Sequence, residues 1–326
     1  MITEDDLNIR LATIDDIPQI VHISEGAWDK DYIPNVAGRW LDDPSGRFVV
    51  AECSKVIRGF GRLTFHTPER AWLEGLRVDS SFRRHGVGRA IGRRLMDEAL
   101  DAGVKSMRFA TYYDNIESIT MNEAVGFVLI AGGRWLCARE GAMPELAAAA
   151  AERYRDCARG SVVRIGNVDD DGAFAQAILD SSTVAGSGNM IPAGFVYYPA
   201  SVEFIRKLAG SGCAYAVYSS HGATAPGAPG AVLLASIWSE SYENTPEIVI
   251  NVLEGEPDLC RAALAVAFDE FNRRGVGSVV ATVPCGSTAE ELLLEVGLVS
   301  EASDVSAGKP TVLLYDYRGP GMVAAG

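Results

Sequence analysis

A short basic, glycine-rich segment between a predicted strand and a predicted helix constrains this chain more than any other feature. The run Arg83-Arg84-His85-Gly86-Val87-Gly88 follows the strand-like residues 72–78 and precedes the helical pattern of residues 90–100. A tight turn that enters a helix leaves backbone N–H groups unpaired at the positive end of the helix dipole. Glycine lets the backbone approach an anion because no Cβ stands in the way. The segment therefore predicts a site for a polyphosphate.

The spacing of the glycines excludes two common phosphate loops. No Gly-Lys-Ser/Thr follows them, so the turn is not a Walker loop. Gly86 and Gly88 are followed by Gly92, one place late for the dinucleotide-binding pattern G-x-G-x-x-G. The spacing reads Arg-x-x-Gly-x-Gly instead. Arginines crowd the same region, at positions 77, 83, 84, 89, 93 and 94.

The order of predicted elements around this motif resembles the GNAT superfamily of N-acetyltransferases over about residues 7–137. The predicted elements follow one another in this order: a strand at residues 8–11, an amphipathic helix at 15–27, a hairpin at 47–65, the turn with its helix at 83–100, a strand at 106–111, a second helix with an asparagine before it at 115–125, and a closing Gly-Phe at 126–127. In that superfamily the turn binds the pyrophosphate of coenzyme A. The resemblance implies an N-acetyltransferase that uses acetyl-CoA.

The resemblance also assigns residues to the donor. Backbone groups of Leu76, Arg77 and Val78 would align the pantetheine arm and help to polarise the thioester carbonyl. Asn115 and Ser118 would flank the pantetheine and the thiol. The pyrophosphate would lie on the turn, which consists of Arg83, Arg84, His85, Gly86, Val87, Gly88 and Arg89.

Glu74 is the candidate general base of the reaction. A glutamate on a strand that otherwise faces apolar groups is unusual, and burial there would raise its pKa. The alternative is a structural glutamate held by Arg62 or Arg77. Period-two alternation predicts a common face for Trp72, Glu74, Leu76 and Val78.

The general acid departs from the family's pattern. The family places a tyrosine four residues before the closing Gly-Phe, and Asn122 stands there in this chain. Asparagine is not a proton donor of suitable pKa. Tyr112 or Tyr113, at the end of the predicted strand, would substitute, unless both are packing residues and water protonates the thiolate.

Residues 23–34, 40–44 and 72–78 look similar to a subgroup that contains vertebrate histidine N-acetyltransferase and its microbial relatives. The resemblance implies a free amino acid as acceptor. In this fold the link after the first helix forms one wall of the acceptor site, so Glu25, Asp29, Asp31 and Tyr32 would meet an ammonium or imidazole group. The alternative is a polar loop with an aromatic staple.

An internal repeat predicts two copies of one α/β unit. Residues 110–128 align without a gap with residues 281–299, and residues 9–16 match residues 163–170. The expected fold class is α/β (α+β), with two tandem GNAT-like domains that are each a mixed, mostly antiparallel sheet flanked by helices. The expected parts are a catalytic domain, a helical connector and a degenerate domain, at residues 1–140, 141–160 and 161–326.

The second copy lacks the basic turn. Strands are predicted at residues 214–219, 231–238 and 247–253, and a helix at residues 257–274. Between the last strand and that helix the sequence carries acids, in Glu254-Gly255-Glu256-Pro257-Asp258. Like charges beside a pyrophosphate oppose binding, so this half should not bind coenzyme A. Its expected role is to scaffold or to shape the acceptor pocket.

Composition restricts the partners. The net charge is −14, which argues against nucleic-acid binding. The six cysteines form no C-x-x-C pair, so reduced thiols and no metal site are expected. There is no apolar run of membrane-spanning length and no signal-like N-terminus, so a cytoplasmic protein is expected. A tandem chain can satisfy its own pairing, so a monomer is expected.

Together these observations predict an enzyme that transfers the acetyl group of acetyl-CoA directly to a primary amine of a small molecule or amino acid. Protein or peptide N-acetylation is the alternative within the same chemistry. An acyl-CoA-binding sensor without turnover is the alternative from another class.

Overall fold

The computed structural model describes most of the chain, and it divides into two compact units. The described residues are 6–27, 31–138, 141–154, 160–165, 172–219, 227–238, 246–300 and 309–321. Unit 1 consists of Met1–Phe109, Asn115–Val128 and Tyr315–Gly326, and unit 2 of Ala110–Asp114 and Leu129–Leu314. The predicted domain boundaries at residues 140 and 160 stay a prediction. The two compact units do not end at these residues, because each unit is made of more than one segment of the chain.

The helices and strands of the first half follow the order that the GNAT resemblance predicts, with α2 as an additional helix. In chain order they are β1 (Asn8–Leu11), α1 (Ile17–Glu25), α2 (Ile33–Asp42), β2 (Gly46–Cys53), β3 (Val56–Thr67), β4 (Arg70–Val78), α3 (Val87–Asp101), β5 (Ser106–Tyr112), α4 (Ile116–Glu123) and β6 (Phe127–Cys137).

Unit 1 is built on the strand order β1-β2-β3-β4-β5, with antiparallel pairing up to β4. β4 and β5 pair in parallel only from Arg70 to Trp72, opposite Ser106 to Arg108. β4 continues to Val78, so its edge after Trp72 has no strand partner on that side within the described part of the chain. The two strands therefore diverge in a wedge.

Helices cover both faces of this sheet. On one face α1 and α2 bury Ile20, Ile33 and Trp40 against Phe48 and Phe60. On the other face α3 buries a stripe with helical spacing, which consists of Val87, Ile91, Leu95 and Ala99.

The segment Ile33–Asp42 corrects one expectation, because it is a helix and not a polar loop. Pro34 lies in its first turn, where the missing N–H costs no hydrogen bond. Val36, Ala37 and Trp40 share its buried face. Tertiary burial of that face therefore outweighs the weak local signal.

The last strand of the chain, β14 (Val312–Tyr317), contributes its end to unit 1. Asp316 accepts a hydrogen bond from Ser106, and the Arg318 N–H donates to the Gly126 carbonyl. The repeat did not predict this contribution from the far end of the sequence.

The second half supplies the remaining elements. They are α5 (Met143–Tyr154), β7 (Gly160–Arg164), α6 (Gly172–Leu179), α7 (Ser182–Gly186), β8 (Met190–Ala193), β9 (Val196–Pro199), α8 (Val202–Ala209), β10 (Ala214–Ser219), β11 (Ala231–Trp238), β12 (Glu247–Gly255), α9 (Pro257–Arg273), β13 (Ser278–Pro284) and α10 (Thr288–Val296).

Unit 2 has the strand order β6-β13-β12-β11-β10-β7, in which β12 and β13 pair in parallel and the other neighbours antiparallel. β8 and β9 form a separate two-stranded sheet. The predicted class, a mixed, mostly antiparallel sheet flanked by helices, is confirmed. Among the described helices, none has the length and apolar character that a membrane span requires.

Candidate active site

The basic turn lies where α3 begins, at the carboxyl end of β4. Arg84 and Gly86 both adopt the left-handed backbone region, with φ of 65° and 83°. No side chain caps the start of α3, and the first amide to bond back is that of Ala90, which donates to the Gly86 carbonyl. The amides of the first turn, Gly88 among them, therefore have no partner within the helix.

Gly88 provides a test of whether this turn fits coenzyme A. A Cβ added there would lie 3.5 Å from Val78 Cγ2 and 3.5 Å from Met121 Sδ, which is ordinary contact. Packing within the protein therefore does not require glycine at this position. A ligand that must approach the backbone closely does require it. The exposed Arg83 and Arg84 form no ion pair with any described residue, so the turn fits a pyrophosphate.

Two of the arginines expected at the turn are engaged elsewhere, which corrects that expectation. Arg77 forms a bidentate ion pair with Asp31, with N–O distances of 2.6 and 3.2 Å. Arg94 pairs with Glu98 one turn along α3. Both arginines therefore neutralise nearby carboxylates.

A β-bulge at Gly75 changes which side chains share a face of β4. Arg62 of β3 lies opposite Glu74, whereas Phe60 lies opposite Arg77, so one extra residue stands on β4 between these pairs. Gly75 has φ of 68°, and a Cβ there would lie 2.7 Å from the Trp40 ring. This bulge, signalled only by a glycine, was not predicted from the sequence.

The predicted common face of Trp72, Glu74, Leu76 and Val78 is therefore wrong beyond the bulge. Glu74 faces Arg62 on the side of α2. Leu76 and Val78 lie beside Gly88 on the side of α3. The extra residue reverses the alternation, which places Glu74 and the residues near the basic turn on opposite sides of the strand.

Glu74 occupies a nearly closed site with three polar neighbours. Its Oε1 accepts a hydrogen bond of 2.6 Å from Thr64 Oγ1. Arg62 Nε lies 3.8 Å from the same oxygen. Burial raises the pKa of Glu74, and it outweighs the opposing effects of Arg62 and Thr64, while Asp43 adds to the increase. This is the character expected of a general base that operates near neutral pH.

The expected acceptor residues divide into three groups. Asp29 lies outside the described residues. Asp31 is buried, with its carboxylate bound to Arg77 and to the Ile33 N–H, so the structure does not leave it open for an ammonium group. Glu25 is exposed at the end of α1, and the Tyr32 ring lies 6.1 Å from that of Trp40. Among the described residues, Glu25 and Tyr32 remain candidates for contact with the acceptor.

The residues expected beside the pantetheine meet at the start of α4. Asn115 caps this helix, and its Oδ1 accepts from the Ser118 N–H at 3.2 Å. Asn122, which replaces the family's tyrosine, donates from Nδ2 to the Ser118 carbonyl at 2.8 Å. Met121, expected only as a core residue, lies beside Gly88. These contacts place α4 next to the first turn of α3.

The two candidate acids belong to unit 2, whereas Glu74 belongs to unit 1. The Tyr112 ring lies 4.5 Å from that of Phe195. The Tyr113 N–H donates to the Thr311 carbonyl at 3.0 Å. Both tyrosines have packing or backbone contacts of their own, so a role as general acid stays a prediction.

Comparison with known proteins identifies the family of one segment of the chain. Residues 15–127 match the model of the acetyltransferase (GNAT) family. They form a GNAT acetyltransferase domain. The protein is therefore an acyltransferase, and the donor of this family is acetyl-CoA.

Several solved structures resemble nearly the whole chain, and two of them illustrate the likeness. A GCN5-related N-acetyltransferase from Sphaerobacter thermophilus is 12% identical with a TM-score of 0.63, over 99% of this chain and 100% of that one. One from Kribbella flavida is 14% identical with a TM-score of 0.52, over 95% of this chain and 70% of that one. At these identities the likeness shows the fold alone. No curated protein matches this sequence.

Unit 2 contains a cavity that differs in charge from the turn of the GNAT domain. β12 and β13 pair from Glu247 to Ile250 and then diverge, and a cavity of about 390 Å³ lies at their ends. Its lining includes Glu254 and Cys285 and contains no lysine or arginine among the described residues. Glu254 accepts hydrogen bonds from the Ser182 N–H and Oγ.

Part of the surroundings of Glu74 was not predicted from the sequence. Thr64 of β3 donates a hydrogen bond to Glu74, and Asp43, after the end of α2, pairs with Arg62 beside it. The register of β3 against β4 would have predicted Thr64, but that register depends on the bulge. Asp43 follows a helix that was not predicted.

Proposed function

We propose that this enzyme transfers the acetyl group of acetyl-CoA directly to a primary amine of a small molecule or amino acid, with Glu74 as general base. The observation that carries the proposal is the position of Glu74. It is a largely enclosed carboxylate on β4, with a side chain 14% exposed, one residue before the bulge at Gly75 and on the strand that leads into the basic turn.

The donor supplies an activated thioester carbonyl, to which the amine nitrogen bonds as the carbon–sulfur bond breaks. Glu74 accepts a proton from the amine, directly or through a water molecule. The edge of β4 after Trp72, which has no strand partner on that side among the described residues, offers backbone N–H groups to the pantetheine arm of acetyl-CoA. The turn from Arg83 to Arg89 holds the pyrophosphate, while Asn115 and Ser118 lie on the neighbouring α4.

The acceptor is proposed to enter beside α1 and α2. Glu25 offers a carboxylate to an ammonium group, and Tyr32 offers a ring that carries a polar end. The resemblance to the histidine N-acetyltransferase subgroup supports a free amino acid, and Asp29 belongs to the same segment. Tyr112 or Tyr113 is proposed to return the proton to the thiolate, with water as the alternative.

The second half is proposed to be a degenerate GNAT-like domain that does not bind coenzyme A. The cavity at β12 and β13 supports this, because the described residues of its lining include Glu254 and no cation that could neutralise a pyrophosphate. We further propose a cytoplasmic monomer that binds neither nucleic acid nor membranes, in keeping with the net charge of −14.

The test is release of coenzyme A thiol from acetyl-CoA with a panel of free amino acids including histidine, polyamines, aminoglycosides and short peptides. We expect turnover with one class of small amine. Glu74→Gln should lower kcat/KM by about 10²- to 10⁴-fold, the contribution typical of a general base, and retain acetyl-CoA binding by calorimetry. Turnover with peptides alone would shift the acceptor to proteins, and an unimpaired Glu74→Gln variant would remove Glu74 from the mechanism.

An acyl-CoA sensor without turnover is the second candidate, and Asn122 favours it. Its amide is engaged with Ser118 and cannot donate the proton that the family's tyrosine supplies. Binding of acetyl-CoA with no thiol release across the panel would support the sensor.

A further inference from the structure

Arg62 is a buried cation that two neighbours hold away from the carboxylate opposite it. Its side chain is 4% exposed, and its Nη2 forms an ion pair with Asp43. The guanidinium carbon lies 4.8 Å from the centre of the Trp40 ring. Gly46 provides the space, because a Cβ there would lie 2.7 Å from Arg62 Nε. The position of the guanidinium is therefore fixed from several sides.

The side of Arg62 that faces Glu74 is left incompletely bonded. Nε is buried and has no hydrogen-bond partner. It lies 3.8 Å from Glu74 Oε1, which is beyond hydrogen-bonding distance. A direct hydrogen-bonded ion pair would satisfy both groups and would favour the ionised form of Glu74. The observed geometry gives attraction without that contact.

Asp43 is a stable anchor for this arrangement. Its Oδ1 accepts hydrogen bonds from the N–H and Oγ of Ser45, at 2.9 and 2.7 Å. Burial on its own would raise the pKa of Asp43, but the bonds from Ser45 and Arg62 outweigh burial and lower it. Asp43 therefore stays ionised and keeps hold of Arg62 over the range in which Glu74 titrates.

We propose that Asp43 and Arg62 are positioning residues for Glu74, in which Asp43 draws the Arg62 guanidinium back so that Glu74 can accept the proton of the acceptor amine. A guanidinium in full contact would make Glu74 too weak a base, and its absence would leave Glu74 protonated. The inference rests on the proposed function of Glu74 as base and adds how its basicity is set.

The charged groups around Glu74 are few. Arg62 comes from β3 and Asp43 from the end of α2, and both act on its carboxylate together with the Thr64 hydroxyl. The other ionisable residues on the helices that cover this face are exposed, and they are His22, Glu25, Arg39 and Asp42.

Opposite shifts are the signature that a merely structural role would not produce. In Arg62→Met the cation is lost, and we expect the pKa of Glu74 to rise by about one to three units, the range for a neighbouring charge. In Asp43→Asn the guanidinium is released to pair with Glu74, and we expect that pKa to fall. Arg62→Lys keeps a cation and should remain closer to the wild type than Arg62→Met.

The experiment is a pH titration of the protein labelled with ¹³C at the glutamate carboxyl carbons, followed by NMR. Glu74→Gln identifies the resonance by its loss. Arg47→Gln, which removes an arginine from β2 that pairs with Glu98, serves as the control and should leave the resonance of Glu74 unmoved. The near-isosteric Asp43→Asn keeps the test open if Arg62→Met does not fold.

Shifts of opposite sign in Arg62→Met and Asp43→Asn would support the pair, and the acid limb of kcat/KM should follow them. Unmoved titration in Asp43→Asn, or shifts of the same sign in both, would overturn it. A Glu74→Gln enzyme with full activity would instead refute the proposed function, so the two failures are distinguishable.

Discussion

Tyr315 stacks on Phe109, with ring centroids 5.1 Å apart and planes inclined by 11°. The two residues lie on β14 and β5, far apart in sequence, yet both belong to unit 1. Asp316 beside them pairs with Arg108 at 3.4 Å. The unit that contains the basic turn is therefore completed by β14, the last strand of the described residues.

Tyr315→Ala should destabilise the protein by about 3 kcal/mol, as expected for a large aromatic side chain lost from a core. Tyr315→Phe is the matched control, because it keeps the ring and loses only the hydroxyl bond to the exposed Glu123. Urea unfolding measures both variants. Equal stability of Tyr315→Ala and the wild type would show that the strand is not part of the folded unit.

Gly88→Ala should fold normally and lose acetyl-CoA affinity. The added methyl group meets only ordinary contacts inside the protein, but it stands where the ligand must approach the helix amides. Gly92→Ala, one turn along α3 with open space around it, is the control and should bind normally. Calorimetric titration with acetyl-CoA measures the affinity of both variants. Equal affinities would show that the phosphates do not bind at Gly88.

Arg83→Glu should weaken acetyl-CoA binding at least about tenfold, because a hydrogen bond to a charged group contributes about 1.5–3 kcal/mol. The effect should shrink as salt is added. Arg273→Glu makes the same charge change at an exposed site on α9 and should leave the dissociation constant unchanged. If both variants weaken binding equally, net charge and not the turn is responsible.

Stability should depend on pH through Glu74. Burial raises its pKa above the unfolded value of about 4.3. The folded state therefore binds this proton more tightly, and the resulting stability is fully present below about pH 4 and is lost as pH rises through the folded pKa.

Relative to Glu74→Gln, which does not titrate there, the wild type should thus lose free energy of unfolding as pH rises from about 4 through the folded pKa of Glu74. Urea unfolding of both proteins across this range gives the difference, and a difference that is constant with pH would show that Glu74 has an ordinary pKa in the folded state.

Local features of the site were predictable from the sequence because they depend on neighbours along the chain. The strand, the glycine turn and the helix are consecutive, and β4 and α3 lie where they were expected. Glu74 stood out as an acid within an apolar strand. In the second half the strands at residues 214–219 and 231–238 agree with β10 and β11, because β-branched and aromatic residues favour a pleated, half-buried surface.

Other features depended on tertiary contacts. The bulge at Gly75 reversed the faces of β4, and no pattern along one strand shows how many residues of its partner stand opposite. Asp31 and Arg77 formed a pair across 46 positions. In sequence each of them was a charge that could equally have faced a ligand.

The succession of strand, glycine turn and helix in the acetyltransferase domain followed from the sequence alone, because a loop between a strand and a helix encodes its own backbone geometry in its glycines. Which charges pair within the protein, and which strand completes unit 1, became visible in the folded structure alone. Those choices depend on burial and on strand pairing between distant segments, where one residue of register changes every contact.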